Sequence, residues 1–360
     1  MNFAKQNIQE MSAYAGPKED RTFYSGMLLD FGERTIAPSP KIIEALNEFA
    51  QNGRINIYPE YFNLNKKIAQ YAGVSEDQIL AVNGSDRAID LIFRIFTDKG
   101  DKVIIPKPSF AMFFQSAEIE GCEIVSPIYD ESLNYPIEEV LDEIDNKTKL
   151  IIICSPNNPT GTIVNSDEIE KIAKKALEFN SIVFIDEAYF EFSQVTAVPL
   201  IEKYPNIIIS RTFSKAFGLA ALRIGYAMAS KEHIAEMLKI RSPYDVNMIA
   251  SIATQVALDN VEYMQKYRDE VMNGSKPLIE NFFKDNGIKF FDNSKANFLL
   301  FKPDSPEQVF EILDKNGVRT RPRKGSRIDG TIRLTIGTVE QMKKFIEIYS
   351  TVILAKAGIQ

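Results

Sequence analysis

Residues 150–161 read LIIICSPNNPTG, and residues 181–189 read SIVFIDEAY. In both, an apolar run without alternation stops abruptly at polar, turn-forming residues. Successive side chains on a strand point to opposite faces of a sheet, so an unbroken apolar run marks a strand covered on both sides. The same signature recurs in QILAV (78–82), DKVIIP (101–106), EIVSPI (123–128), NIIISR (206–211) and RIGYAMA (223–229). Between them lie helical patterns such as DRAIDLIFRIF (86–96) and SFAMFFQSAEIEG (109–121). Two more helices precede them, KIIEALNEFAQ (41–51) after Pro38-Ser39-Pro40 and NLNKKIAQYAG (63–73). Strands alternating with helices predict an α/β fold whose mainly parallel sheet of seven strands lies between helical layers.

From about Ser242 the rhythm changes. A long helical stretch (250–287) leads to short strands at KFFD (289–292), NFLLFKP (297–303), GVRTRP (317–322) and TIRLTIG (331–337), then the helix VEQMKKFIEIYS (339–350). This part reads as a small α+β unit. The expected organisation is an extended N-terminal arm (1–37), a large domain (38–250) and a small C-terminal domain (251–360).

Composition narrows the function. The chain has 360 residues, 45% hydrophobic and 25% charged, which is ordinary for a folded globular protein. A net charge of -7 argues against a general nucleic-acid binder. The two cysteines, Cys122 and Cys154, cannot build a disulfide framework and read as buried and inert, in a reducing compartment. The single histidine, His233 in KEHIAEMLKI, reads as a surface helix residue, and it leaves no His-rich metal site. No apolar signal core and no membrane-length apolar run occur, so the expected location is the cytoplasm. The closing VILAKAGIQ (352–360) suggests no role.

Four segments put polar groups just past a strand, where open α/β sheets bind ligands. Gly84-Ser85-Asp86 opens a helix, which makes either an ordinary cap or an anion site. Asn158 lies in a rigid turn after a buried strand. Asp186 ends another; a carboxylate there is either a satisfied cap or the partner of a protonated ring nitrogen. Lys215 lies in Ser210-Arg211-Thr212-Phe213-Ser214-Lys215, with Arg223 eight residues beyond and no acidic residue from Ile207 through Lys231. A lysine beside hydroxyls and cations suits a Schiff base next to a phosphate. Together these groups meet the binding requirement of pyridoxal 5′-phosphate.

On those motifs the chain resembles the fold-type I pyridoxal-phosphate aminotransferases of class I/II, and within them the histidinol-phosphate aminotransferase branch. The likeness runs from Ala13-Tyr14-Ala15-Gly16-Pro17 to Ile332-Arg333-Leu334-Thr335. It implies that Lys215 binds the cofactor covalently and moves the substrate proton, and that Asp186 keeps the pyridine nitrogen protonated. Asn158 and Tyr189 would hydrogen-bond the phenolic oxygen, while Phe110 would stack on the ring or else pack the core. Gly84, Ser85, Asp86, Thr212, Ser214 and Arg223 would cradle the phosphate. Tyr58 would reach the phosphate of the neighbouring subunit, implying a homodimer with shared sites, or else cap a turn.

For substrate, the resemblance implies Arg333 on a carboxylate, and Arg321 and Tyr14 on a phosphate. Arg321 also belongs to a basic run, 319–327, that could be a solvated edge. The implied reaction is a ping-pong transfer between a phosphorylated amino alcohol or amino acid, with L-histidinol phosphate first, and 2-oxoglutarate. The alternatives are an aminotransferase for an aromatic or similar amino acid, a decarboxylase resembling threonine-phosphate decarboxylase, or a cofactor-binding module without turnover. Two departures bear on substrate. Arg87 stands where the family has an acid, and Phe31-Gly32-Glu33-Arg34 replaces its Asn-Glu pair.

Overall fold

Branched apolar runs form the centre of the molecule. The computed structural model describes residues 3–13, 16 and 21–356. Its strands are β1 (Met27–Leu28), β2 (Ile79–Val82), β3 (Lys102–Ile104), β4 (Glu123–Val125), β5 (Thr148–Cys154), β6 (Ile182–Asp186), β7 (Ile207–Thr212), β8 (Gly225–Ala229), β9 (Lys289–Phe290), β10 (Phe298–Lys302), β11 (Val318–Arg319), β12 (Arg321–Arg323) and β13 (Thr331–Thr335). The helices are α1 (Gln6–Glu10), α2 (Pro40–Asn52), α3 (Phe62–Ala72), α4 (Ser85–Phe96), α5 (Ala111–Glu120), α6 (Ile137–Glu143), α7 (Ser166–Glu178), α8 (Phe190–Ser193), α9 (Lys231–Ile240), α10 (Met248–Leu258), α11 (Val261–Asp269), α12 (Lys276–Asp285), α13 (Pro306–Lys315) and α14 (Val339–Lys356).

Seven strands form one sheet in the order β2-β8-β7-β6-β5-β3-β4. All neighbours run parallel except β8, which is antiparallel to both β7 and β2. Side chains of β5 to β7 alternate between two cores. Ile151, Ile153, Val183, Ile185, Ile207 and Ile209 face one, beneath α2, α3, α7 and α10. Leu150, Ile152, Phe184 and Ile208 face the other, beneath α4, α5 and α9. Each such side chain, fully buried, contributes about 1.5–3 kcal/mol, which is why these strands admit no polar residue until their ends. The register then sets Cys154, Asp186 and Ser210 side by side at the carboxyl edge.

The second sheet, β12-β13-β10-β9, is antiparallel, and β1 pairs parallel with β11. Phe301 packs on Phe283, and Phe283 on Phe345, while Phe298 on the opposite face of β10 packs on Tyr189; all four join the core that carries Ile185 and Ile209, so one apolar body links the two sheets.

Four details differ from the sequence reading. The arm is not wholly extended: α1 forms, and Asn7 Nδ2 donates to Glu118 O and Ile119 O, 2.9 Å each, at the end of α5. The helices α6 and α7 form where the sequence shows no continuous apolar run. The long helical stretch is broken into α10, α11, a π-helical turn (Glu270–Ser275) and α12. A division between residues 250 and 251 falls inside α10.

Among the described residues, no helix is long and apolar enough to cross a membrane, and no cluster of His, Cys, Asp or Glu could hold a metal ion. Both cysteines are free; Cys154 is buried, but Cys122 is only half-buried, with Sγ 3.4 Å from Thr97 Oγ1. His233 is also half-buried, edge-on to Phe96 at 5.1 Å, and burial lowers its pKa.

Candidate active site

A cavity of about 120 Å³ opens at the carboxyl edge of the large sheet. Ser85, Asp86, Phe110, Asn158, Asp186 and Tyr189 line it, with Thr212, Ser214, Lys215 and Arg223. Segments up to about 140 residues apart in sequence thus converge, because β2, β5, β6 and β7 all end there.

Asp186 is 3% exposed at the tip of β6. Its Oδ1 accepts Ser210 Oγ at 3.0 Å and Ala188 N at 3.2 Å. Its Oδ2 has Cys154 Sγ at 4.0 Å. Burial pushes the carboxyl up to about 7; the Ser210 hydroxyl opposes the shift, and the Asp86 carboxylate adds to it. The next residue, Glu187, points to the other face of the sheet and pairs with buried Arg211 at 2.8 Å. Strand alternation therefore separates the two acids of Asp186-Glu187 into a cavity group and a structural pair.

Lys215 sits in the turn after β7. Its Nζ donates to Phe31 O at 2.8 Å and lies 5.4 Å from the Tyr189 ring centre. Tyr189 is 2% exposed, and a Cβ on Gly32 would stand 3.0 Å from its hydroxyl. Gly32 has φ +64°, so the residue in that place both permits the turn and makes room for the phenol. Asn158 Oδ1 accepts Arg333 Nη1 at 2.5 Å, which fixes the amide and leaves its NH₂ for the cavity.

At the far end, α4 begins at Ser85 with its free N–H groups turned to the cavity. Gly84 has φ +74°, and a Cβ there would lie 2.6 Å from Arg223 Nη2. Arg223 also reaches Asp86 Oδ2 at 3.1 Å and Ser214 Oγ at 3.4 Å, and Thr212 Oγ1 donates to Ser214 Oγ at 2.9 Å. Helix N-terminus, hydroxyls and guanidinium together make a concave anion site. Phe110 forms the wall and packs edge-on against Phe113 at 5.7 Å.

The remaining expected residues lie outside this cavity. Tyr58 is 72% exposed and stacks on Tyr244 at 4.0 Å. Arg321 lies over the Phe31 ring at 5.0 Å. Its neighbours in the basic run are not a free patch: Arg319 pairs with Asp314, and Arg327 with Glu131. Arg333 holds Asn158 and also donates to Asp30 O at 2.6 Å. Tyr14 lies outside the described residues. Arg87 turns away and pairs with Asp90 and with Asp245, the latter at 3.3 Å, so this departure does not face the site. Sequence reasoning missed Ser210 as the donor to Asp186, and Phe31 and Arg34 as neighbours of the lysine turn. Register could have found Ser210; nothing local marks the other two.

The family model "Aminotransferase class I and II" matches residues 24–348. The chain belongs to the class I and II aminotransferases, the pyridoxal-phosphate enzymes of fold type I. It is 35% identical over 357 residues to histidinol-phosphate aminotransferase of Staphylococcus carnosus, covering 96% of this chain and 98% of that one. It is 36% identical over 354 residues to dihydroxyacetone phosphate transaminase of Campylobacter jejuni, covering 96% and 95%. In fold it is similar to histidinol-phosphate aminotransferase of Sinorhizobium meliloti, solved with pyridoxal-5′-phosphate, with a TM-score of 0.86 and 23% identity over 98% and 99% of the two chains.

The cavity fits that cofactor on its own terms. It offers an amine, a buried carboxylate whose Oδ2 has only the weak thiol donor of Cys154, an amide donor and a concave anion cradle, spaced along one slot.

Proposed function

We propose that the chain transfers an amino group from a phosphorylated amino alcohol, L-histidinol phosphate first among them, to 2-oxoglutarate. The observation that carries the transferase site is the convergence of Lys215, Asp186, Asn158 and Arg223 on one cavity. When bound, pyridoxal phosphate supplies an electron sink for the pair left as the Cα–H bond of the donor breaks.

The chain's own residues do the rest. Lys215 Nζ attaches the cofactor and, once freed, takes the proton from the donor's α-carbon. Asp186 would hold a proton on the ring nitrogen; its buried carboxyl, raised to about 7, has hydrogen-bond donors but no cationic partner, and the protonated ring would supply one. Asn158, fixed by Arg333, and Tyr189 donate to the phenolic oxygen. The Ser85 N–H end of α4, Thr212, Ser214 and Arg223 bind the phosphate, and Phe110 orients the ring. Arg333 and Arg321 take the anionic ends of the two substrates, and the role assigned to Tyr14 is on the substrate phosphate.

The donor class rests on relatives. The Staphylococcus carnosus and Campylobacter jejuni proteins are both named for phosphate esters, and at similar identity they leave two candidate donors. Histidinol phosphate carries an imidazole, whereas the amine of dihydroxyacetone phosphate is a bare three-carbon ester. Steady-state kcat/KM with histidinol phosphate, histidinol and 2-amino-3-hydroxypropyl phosphate tests the proposal. A preference of at least about 10²-fold for histidinol phosphate over histidinol supports a phosphate site, since a charge-assisted contact carries that much. Equal values overturn it, and a higher value for the three-carbon ester moves the assignment to that donor.

The same reading includes a homodimer in which Tyr58 serves the partner's site. The exposed Tyr58–Tyr244 stack supports it. A domain division at 37 and 250, the latter placed within α10, and a cytoplasmic location, for which the free cysteines argue, belong to the proposal as well.

A further inference from the structure

We propose that Arg34 is a positioning residue for Lys215, a role that rests on Lys215 being the cofactor-binding amine. Arg34 is 9% exposed, and its Nη1 donates to the carbonyl of Ala216, the residue after the lysine, at 3.0 Å. Its guanidinium carbon lies 4.9 Å from the ring centre of Tyr263 and 4.2 Å from that of Tyr267, both on α11. A Cβ on Gly218 would stand 2.6 Å from Arg34 Cδ, so the lysine turn is shaped around this side chain. Three residues before Arg34, Phe31 O accepts Lys215 Nζ at 2.8 Å. One short segment therefore grips the turn twice, at the amine and at the next backbone carbonyl.

That segment is itself anchored to the second sheet. Gly32 N donates to Thr335 Oγ1 at 3.0 Å, Asn297 Nδ2 donates to Gly32 O at 3.2 Å, and Arg333 Nη2 donates to Asp30 O at 2.6 Å. The grip on Lys215 is thus continuous with the strand that carries Arg333.

Packing alone does not explain an arginine here. Among the described residues no carboxylate pairs with Arg34, and its buried Nε has no partner. Burying a guanidinium whose partners are only a carbonyl and two tyrosines, with no carboxylate, is costly, and an unbranched apolar chain would fill the space without that cost. A guanidinium can stand over two phenol rings while donating to a carbonyl, which neither an apolar chain nor a compact ammonium does as well. A small displacement of a reacting group costs rate steeply, so the retained charge is explained by the orientation it imposes on the turn.

The test compares wild-type, Arg34→Met and Arg34→Lys holoenzymes. The readouts are the first half-reaction, with histidinol phosphate and no oxo acid, and the circular dichroism induced in the cofactor's near-visible band, which reports how the lysine holds the ring. Arg34→Met should slow the half-reaction about tenfold or more, with half-saturating donor within about twofold, and should change the induced signal. Arg34→Lys keeps the charge but not the fork, and should recover part of the rate.

If Arg34→Met does not fold, Arg34→Lys decides alone: a rate about threefold or more below wild type supports the role, and an unchanged rate overturns it. A folded Arg34→Met enzyme with wild-type rate and signal also overturns it. A wild-type enzyme with no cofactor band at all would instead overturn the reading of Lys215.

Discussion

Asp186→Asn separates the stability of the fold from its chemistry. In the cofactor-free protein, burial raises the Asp186 carboxyl from 3.8 to about 7. Below pH ~4 the group is protonated in both folded and unfolded chains, and it costs nothing. As pH rises from about 4 through 7, the unfolded chain ionises first, so stability is lost; above 7 the loss is complete. Three units correspond to about 4 kcal/mol.

Asparagine has no charge to desolvate, and its Oδ1 can keep the Ser210 and Ala188 donors. Allowing for imperfect replacement, the variant apoenzyme should gain about 2–4 kcal/mol at pH 8, or about 3–5 °C in Tm for a chain of this length. At pH 5 the gain should shrink to about 40% of its pH 8 value. Transamination by the reconstituted variant should fall at least about 10²-fold, because an amide cannot hold the ring proton. Thermal melts at pH 5 and pH 8, with and without cofactor, read both halves. An Asp186→Asn apoenzyme no more stable than wild type at pH 8 would refute the assigned burial cost; undiminished turnover would refute the role.

Three further outcomes follow from the geometry. Lys215→Ala should lose at least about 10⁴-fold in kcat while still binding the cofactor through Arg223 and the α4 terminus, measured by equilibrium dialysis. Arg223→Gln removes one charge-assisted contact and should weaken cofactor binding about 10- to 100-fold, with inorganic phosphate losing its competition in parallel. Mixing Lys215→Ala and Tyr58→Ala chains should restore activity at about one quarter of the sites, since only a hybrid dimer holds one site with both residues. No recovery after verified exchange would place Tyr58 in its own chain's site.

How much of this was legible depends on where the signal lies. The inner strands announce themselves because two-sided burial forbids alternation, as in Leu150–Cys154 and Ile182–Ile185, whereas the edge strand β4 is only partly buried. The cavity residues are legible for a related reason: polarity returns where a strand leaves the core, and β5, β6 and β7 leave it in register. The helix α7 also carries a readable pattern, a capping box of Asn165 and Glu168 followed by buried Ile169, Ile172, Ala173 and Ala176. Its polar face hides that stripe from a search for apolar runs.

Other features are not local at all. Arg87 alone reads as a reversed charge beside the phosphate cradle; its Asp245 partner comes from a distant loop. Nothing local in Phe31-Gly32-Glu33-Arg34 marks Arg34, and only the fold brings Ala216, Tyr263 and Tyr267 around it. Gly32 reads as a lost asparagine, whereas in space it is the room that Tyr189 occupies.

The most direct single measurement is a half-reaction on the holoenzyme. Histidinol phosphate is added in slight excess without any oxo acid, and the near-visible band of the lysine-bound cofactor is followed while the keto product is counted. Loss of the band with about one keto product per chain, and its return on adding 2-oxoglutarate, is the predicted result. A band that persists with histidinol phosphate and with the three-carbon amino phosphate alike, in protein that holds its cofactor, would contradict the proposed transfer from a phosphorylated amino alcohol.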